Sequence, residues 1–364
     1  MSEKLNNSNN FGRSNKILTS EWEMVTKNND GEPEVTTLHK YEYQGDMDTV
    51  KELITPPEQE IKFRKRKLGR ATLNACETYF IFSDAHIGWR NVNGLLVPTH
   101  DPRSLALAQE IAYDIQPDYI MNLGDTLDLA EISRFDQDSN HFLGMTQQAI
   151  DTAYNFQKGM RESVPNSRYI ELQGNHDIRF MKKLGKVATT LMGLKRAGTD
   201  GASIFSYEDV NNHASLDIEY ISGYPNSTFM PHDDIQFRHG PDLRSNGSTA
   251  ELLSKKYPYH GVIQGHGHKS QTHWKTRPDG HQQPYHMTPI LGRTDGVIPG
   301  YNTSVNDHNK PTTIQEDWQS GVSIYQRYPN GISEVRSVQF QDGVAYIDGK
   351  KYEARFDIPR EKKL

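Results

Sequence analysis

Asp84 and His86, Asp125 and Asp128, Asn175 and His176, His239, and His266 with His268 each stand just after a short apolar run. Aspartate, asparagine and histidine bind divalent cations through oxygen and imidazole nitrogen. Sulfur has no part in it, because Cys76 is the only cysteine of the chain, which excludes a disulfide framework and a thiolate zinc cluster. A mixed oxygen and nitrogen set suits manganese, iron, zinc or nickel better than calcium or magnesium, which prefer oxygen alone. Asp84, His86, Asp125, Asn175, His239, His266 and His268 are too many for one tetrahedral ion and suit two ions sharing a carboxylate. Two ions about 3.5–4 Å apart clamp a phosphoryl group and lower the pKa of a water between them. Gly174-Asn175-His176-Asp177 alone would say little, since turns favour Gly, Asn and Asp for backbone reasons. Its weight comes from the four other blocks.

The runs that must position these residues read as strands: Thr78–Ser83, Tyr119–Leu123, Arg168–Gln173, Ile235–Arg238 and Gly261–Gln264. Helices fall between them. Asp101 is placed to cap a helix with Pro102 at its first position, carrying Leu105, Ala108, Ile111, Ala112 and Ile115 as its apolar stripe. A second helix spans Met145 to Met160, with Ala149, Ala153, Phe156 and Met160 on one face. A third spans Ile178 to Met192, with Met181, Leu184, Ala188 and Leu191 inward, and a fourth Ser248 to Lys256. Leu216–Ile221, Gly321–Tyr328, Ile332–Phe340 and Val344–Ile347 add strands. Strand–helix alternation followed by consecutive strands predicts a layered α/β core with two sheets. In such sheets ligands gather beyond the carboxyl ends of strands, so the five blocks are expected to converge.

Taken together and in this order, Asp-x-His, Gly-Asp-x-x-Asp, Gly-Asn-His-Asp, His-Gly and Gly-His-x-His resemble the calcineurin-like metallophosphoesterases. The resemblance spans about residues 78–270, and it implies two packed mixed sheets flanked by helices (an α/β-β/α layering). It also implies that Asp84, His86, Asp125 and His268 hold one divalent ion and that Asp125 bridges to a second. Asn175, His239 and His266 would complete the second site. His176 takes the place of the residue that acts on the leaving group, and Asp128 would orient it. Gly267 stands where many members carry Thr. The wider look of the chain is similar to phage-encoded metallophosphoesterases, through Trp89-Arg90, Pro98-Thr99-His100-Asp101-Pro102 and the polar N-terminal extension.

Blander readings accompany several of these residues. Asp84 and His86 could cap a turn, and Asn175 could serve a left-handed turn. His239 rests on a single His-Gly pair. His232, His260, His273, His281 and His286 read as surface or core histidines. Arg90, Arg179 and Arg244 follow motifs closely and could neutralise phosphate oxygens through paired hydrogen bonds; surface salt bridges are the alternative. Trp89 and Tyr224 would stack a base or pack in the core.

Outside this core, Met1–Ser20 reads as a disordered tail. Residues 21–70 form an extension with a hairpin from Glu21 to Tyr43 around Asn29-Asp30-Gly31, and with a basic run, Lys62–Arg70. The phosphoesterase domain is expected over 71–358, with a short tail at 359–364. Arg293–Trp318 is a long polar segment of the kind that is functional or disordered. Among 364 residues only 34% are hydrophobic, and mean hydropathy is −0.78. No apolar run approaches the roughly 18 residues of a membrane span, and the polar start lacks a signal-peptide core, so the expected location is the cytoplasm, the host's if the chain is phage-encoded. A net charge of −6 argues against a surface coated in positive charge. The expectation is a two-metal phosphoester hydrolase, manganese first among the metals, acting on DNA or nucleotides as a phosphodiesterase or nuclease. A phosphomonoesterase for a nucleotide or phosphoprotein is the second reading, and a binding module without catalysis the third. The sequence sets no subunit number.

Overall fold

The computed structural model describes residues 16–27, 33–43, 76–92, 94–133, 140–200, 203–244, 247–294, 298 and 317–354. The basic run at 62–70, most of the polar segment after Arg293 and the terminal tails lie outside the described residues. The chain divides into two compact units, Met1–Gly69 and Arg70–Leu364.

In the first unit, β1 (Lys16–Lys27) pairs antiparallel with β2 (Pro33–Tyr43). The pair begins earlier than the hairpin expected at Glu21: Lys16 is paired with Tyr43, so Lys16–Ser20 are strand where a disordered tail was expected.

The second unit holds the layered core. Its larger sheet contains β3 (Glu77–Phe82), β6 (Tyr119–Asn122), β7 (Arg168–Leu172) and β8 (Ile218–Ile221), all parallel. On the other edge of β3 come β14 (Gly321–Arg327), β15 (Ser333–Gln341), β16 (Val344–Ile347) and β17 (Lys350–Glu353), each antiparallel to its neighbour. The smaller sheet runs β12 (Gln271–Thr276), β13 (Gln282–Met287), β11 (Gly261–Gln264), β10 (Ile235–Arg238), β9 (Thr228–His232). Its three central strands are parallel and its edges antiparallel. Both sheets are therefore mixed. A separate two-stranded ribbon joins β4 (Trp89–Val92) to β5 (Leu95–Pro98).

Alternation along the strands sends one set of side chains between the sheets. Tyr79, Ile81, Met121, Leu123, Ile170 and Leu172 of the larger sheet meet Phe229, Ile235, Phe237 and Ile263 of the smaller. On the outer face of the larger sheet lie α1 (Pro102–Ile115) and α2 (Thr146–Ser163), where Phe82 meets Phe156 edge-on at 5.5 Å. The outer face of the smaller sheet is covered by α5 (Thr249–Lys256), whose Ala250 and Leu253 pack on Val262, Tyr285 and Met287. The result is four layers, helix–sheet–sheet–helix. Asp101 caps α1 by accepting from the Arg103 backbone N–H at 2.9 Å, with Pro102 first in the helix, as expected.

Between β7 and β8 the chain makes its least packed excursion. α3 (Asp177–Val187) buries only Asp177, and the helix stops at Val187 rather than Met192. Met181, Leu184, Ala188 and Leu191, expected inward, are only half-buried because no second layer of described residues lies over this stretch. The excursion closes with α4 (Tyr207–Val210), whose Tyr207 is buried.

Candidate metal centre

Three of the strands that point at the centre end in turns that side chains alone would not choose. Asp84, His86, Asp125, His266 and His268 all have positive φ, between 45° and 68°. Left-handed backbone is costly for residues with a Cβ and concentrates where function demands it. Asn175 is not among the positive-φ residues, so a left-handed turn does not account for it. The turns interlock: Asp84 N–H donates to the Gly124 carbonyl at 2.9 Å and His86 N–H to the Asp125 carbonyl at 3.1 Å. Gly124 is required there, since its φ is +103° and a Cβ would lie 2.6 Å from the Leu172 carbonyl oxygen and 2.7 Å from the Gly174 nitrogen.

Asp84, His86, Asp125, His239 and His268 are buried, and His266 and Asn175 are half-buried. Each aspartate spends one carboxylate oxygen on the backbone. Asp84 Oδ2 accepts from the His266 N–H at 2.8 Å and from the Ser83 hydroxyl, and Asp125 Oδ1 accepts from the His176 N–H at 2.7 Å. The other oxygens, Asp84 Oδ1 and Asp125 Oδ2, are buried with no hydrogen-bond partner. Both face imidazoles: Asp84 Oδ1 lies 3.3 Å from His268 Nε2, and Asp125 Oδ2 lies 3.3 Å from His239 Nε2.

The Nδ1 of His239 lies 2.9 Å from the Leu123 carbonyl, a pure acceptor, so Nδ1 carries a proton. Its Nε2 faces the Asn175 amide oxygen at 3.0 Å as well as Asp125 Oδ2. Either a second proton on Nε2 or a bound cation satisfies that convergence of oxygens, and the carbonyl that holds Nδ1 is the outer partner typical of metal-binding histidine. His86 Nε2 and His268 Nε2 face each other at 3.2 Å in the same manner. Among the described residues three groupings have ligand atoms mutually within 4.8 Å: Asp84, Asp125, His239 and His266; Asp84, His86 and His268; and His86, Asp125 and His176. The resemblance gave the shared carboxylate to Asp125; in the structure Asp84 and Asp125 each fall in two of these groupings. Without a cation the charges are distorted. Burial, reinforced by neighbouring imidazoles, pushes His86 and His266 down to about 3. Burial would lower His239 too, but Asp125 and Asp84 outweigh it and raise it to about 9.

His176 sits at the edge of this cluster. Its Nδ1 lies 2.9 Å from the Asp128 carbonyl and 3.2 Å from Asp128 Oδ1, and its Nε2 lies 3.9 Å from Asp125 Oδ2. Arg179 reaches the same place, with Nη1 2.9 Å from His176 Nδ1 and donating to the Asp128 carbonyl at 3.1 Å. Burial opposes protonation of His176, but Asp125 and Asp128 prevail and hold its pKa above the ordinary value. Arg90 is buried in the β4 strand and Arg244 is exposed. Trp89 is buried and donates to Thr152 at 2.9 Å, a packing role, whereas Tyr224 lies edge-on to His239 at 5.7 Å. Of the other histidines, His286 is buried between Thr272 and Ser323, and His232 pairs with Glu77.

Two residues here, Tyr207 and Trp318, carry no sequence signal of their own, whereas Asp177 closes the Gly-Asn-His-Asp block. Asp177 Oδ2 accepts from both the Asp125 N–H at 2.9 Å and the Gly174 N–H at 2.8 Å, tying two ligand loops together. Tyr207, distant in sequence, donates to Asp177 Oδ1 at 3.0 Å. Trp318 meets His268 edge-on at 4.7 Å. Gly267 has its own cause: a Cβ there would lie 2.6 Å from Met287 Cε and 3.1 Å from Leu243 Cδ2.

No family model matches the sequence, and no curated protein does. Solved structures do match in part. A predicted phosphoesterase from Streptococcus pneumoniae is 12% identical, covering 72% of this chain and 98% of its own at a TM-score of 0.26. The phosphoesterase Yfce from E. coli is 8% identical, with 71% and 98% covered and a TM-score of 0.30. A dimetal phosphatase from Danio rerio is 9% identical, with 72% and 98% covered and a TM-score of 0.30. Likeness at that level decides nothing about this chain. The chemistry has to be read from the side chains above.

Proposed function

We propose that this protein is a two-metal phosphoester hydrolase, and that its substrates are phosphodiesters of DNA or nucleotides. The observation that carries the reading is the convergence of candidate ligand atoms on one point: Asp125 Oδ2, His239 Nε2 and Asn175 Oδ1, beside Asp84 Oδ1, His86 and His268. Divalent cations bound there, manganese first among them, would polarise a phosphoryl oxygen and supply a water of lowered pKa. The chain's own residues do the rest. Asp84 and Asp125 are held by backbone N–H groups, so their second oxygens are fixed in direction before anything binds. His176 has the burial, the raised pKa and the Asp128 contact to carry a proton and deliver it from Nε2 to the leaving oxygen. Arg179, anchored on the Asp128 carbonyl, adds fixed positive charge at that side of the site. Tyr224, beside His239, offers a ring for a base.

Metal-stripped protein, with manganese restored, should hydrolyse a phosphodiester such as bis(4-nitrophenyl) phosphate faster than the monoester 4-nitrophenyl phosphate. Monoester turnover with the diester untouched would replace the diesterase reading by a phosphomonoesterase. Unchanged activity in Asn175→Ala would defeat the two-metal scheme.

A further inference from the structure

The excursion between β7 and β8 starts and ends at the candidate metal centre. Asp177, its first residue, holds the Asp125 and Gly174 loops, and Tyr207, near its end, donates to the same Asp177 at 3.0 Å. What lies between is therefore fixed at both ends beside the ligands, yet it contributes almost nothing to the core. Its helix, α3, is built on two faces. Asp177, Phe180, Met181, Leu184 and Val187 fall on one side at helical spacing. Arg179, Lys182, Lys183 and Lys186 fall on the opposite side, at i, i+3, i+4 and i+7.

That basic stripe differs from most of the other lysines whose side chains are described, Lys195 and Lys275 being the exceptions that bond backbone carbonyls. Lys158, Lys256, Lys269 and Lys351 each face a carboxylate. Lys182, Lys183 and Lys186 are exposed, and none has an ion pair with a described residue. In a chain of net charge −6, such a row is a local exception to the balance. It begins at Arg179, whose Nη1 is 2.9 Å from His176 Nδ1, and runs away from the centre. From Arg179 to Lys186 the helix rises roughly 10 Å, the axial span of about three nucleotides of one strand.

We infer that the exposed face of α3, Lys182, Lys183 and Lys186, is a track for the phosphodiester backbone of a nucleic-acid strand leading to the metal centre. This rests on the hydrolase reading for the destination of the strand, but not for its binding. Phosphate contacts position a strand without reading its bases, so the track predicts affinity for polymer length rather than for sequence. The half-buried apolar side of the helix faces away from the lysines and is not needed for the contact.

The test compares the full chain with a Lys182→Gln, Lys183→Gln, Lys186→Gln variant. Binding of a fluorescent single-stranded oligonucleotide is measured by anisotropy from 50 to 200 mM salt, and hydrolysis of bis(4-nitrophenyl) phosphate is measured alongside. Each lost phosphate contact flattens the logarithmic salt slope by about 0.7. The wild type should therefore lose roughly 20-fold more affinity across that range than the variant does. Small-diester turnover should be unchanged, since none of the three lysines touches the centre, and it also reports that the variant is folded. Equal oligonucleotide affinity and equal salt slopes would overturn the track. So would a variant that keeps oligonucleotide binding but loses binding to phosphatidylserine vesicles, which would make the face a membrane contact. A protein that binds the oligonucleotide with the expected slopes but hydrolyses no diester would retain the track and sink the hydrolase reading instead.

Discussion

Glu171 is fully buried on β7, one layer behind the metal centre, and offers a sharp test of the electrostatics. Its Oε1 accepts from the Thr126 hydroxyl at 2.9 Å and lies 3.4 Å from the Tyr207 oxygen, and its Oε2 faces the Gln157 amide and His213 Nε2, the latter at 3.4 Å. Burial, with Asp177 nearby, overrides these hydrogen bonds and raises its pKa to about 8. His213 does not relieve it, because burial pushes that imidazole down to about 4. The folded state thus keeps a proton that the unfolded state has already released. Between the unfolded carboxyl pKa near 4.5 and the folded value of about 8, the native state binds more protons. Stability should therefore fall as pH rises through that window, by up to 1.4 kcal/mol per unit and roughly 3–6 kcal/mol in all. Glu171→Gln removes the titration but keeps the shape. Its amide N–H can donate to Gln157 Oε1, which otherwise has no hydrogen-bond partner. Urea unfolding at pH 5, 7 and 9 should show the variant close to the wild type at pH 5 and more stable by several kcal/mol at pH 9. A constant difference across the three pH values would refute the assignment of a neutral, proton-holding Glu171.

Other expectations follow from the same contacts. His176→Ala should cost about 10²–10⁴ in kcat on a diester with a poor leaving group, and much less when 4-nitrophenolate departs; equal losses on both would remove its role in protonation. Tyr207→Phe breaks the tie to Asp177 and should weaken manganese binding by about 10-fold or more, read by titration, while leaving the fold intact by circular dichroism. Gly267→Thr introduces atoms where Met287 and Leu243 already stand and should lower stability by about 1–3 kcal/mol, seen as a shift in the urea midpoint. Phe237, buried between the sheets and stacked on Tyr79, should cost about 3–5 kcal/mol when cut to Ala.

The centre was legible in the sequence because its ligands are short-range features: a strand, a turn and a side chain within a few residues, repeated at Asp84, Asp125, Asn175, His239 and His266. The paired sheets followed from the alternation of strand and helix. Tyr207 and Trp318 were not legible, since each reaches the centre only through tertiary contact, with nothing local to distinguish it from a core aromatic. The edge strands β9 and β12 and the interior strand β13 were missed as well. Thr228–His232 contains Pro231 and Gln282–Met287 contains Pro284, which weaken a strand signal but are tolerated where a ladder hydrogen bond is not needed. The half-exposed α3 was misjudged because its apolar periodicity is genuine while no layer of described residues lies over it. Helical periodicity reports what a helix can bury, not what it does bury.

The most direct measurement is to titrate manganese into the metal-stripped full chain while following diester hydrolysis in the same sample. The account predicts two bound ions per chain and turnover that rises with the second, and a loss of both in Asp125→Asn. Retained ions without turnover of diester or monoester, or turnover that persists in excess chelator, would contradict it.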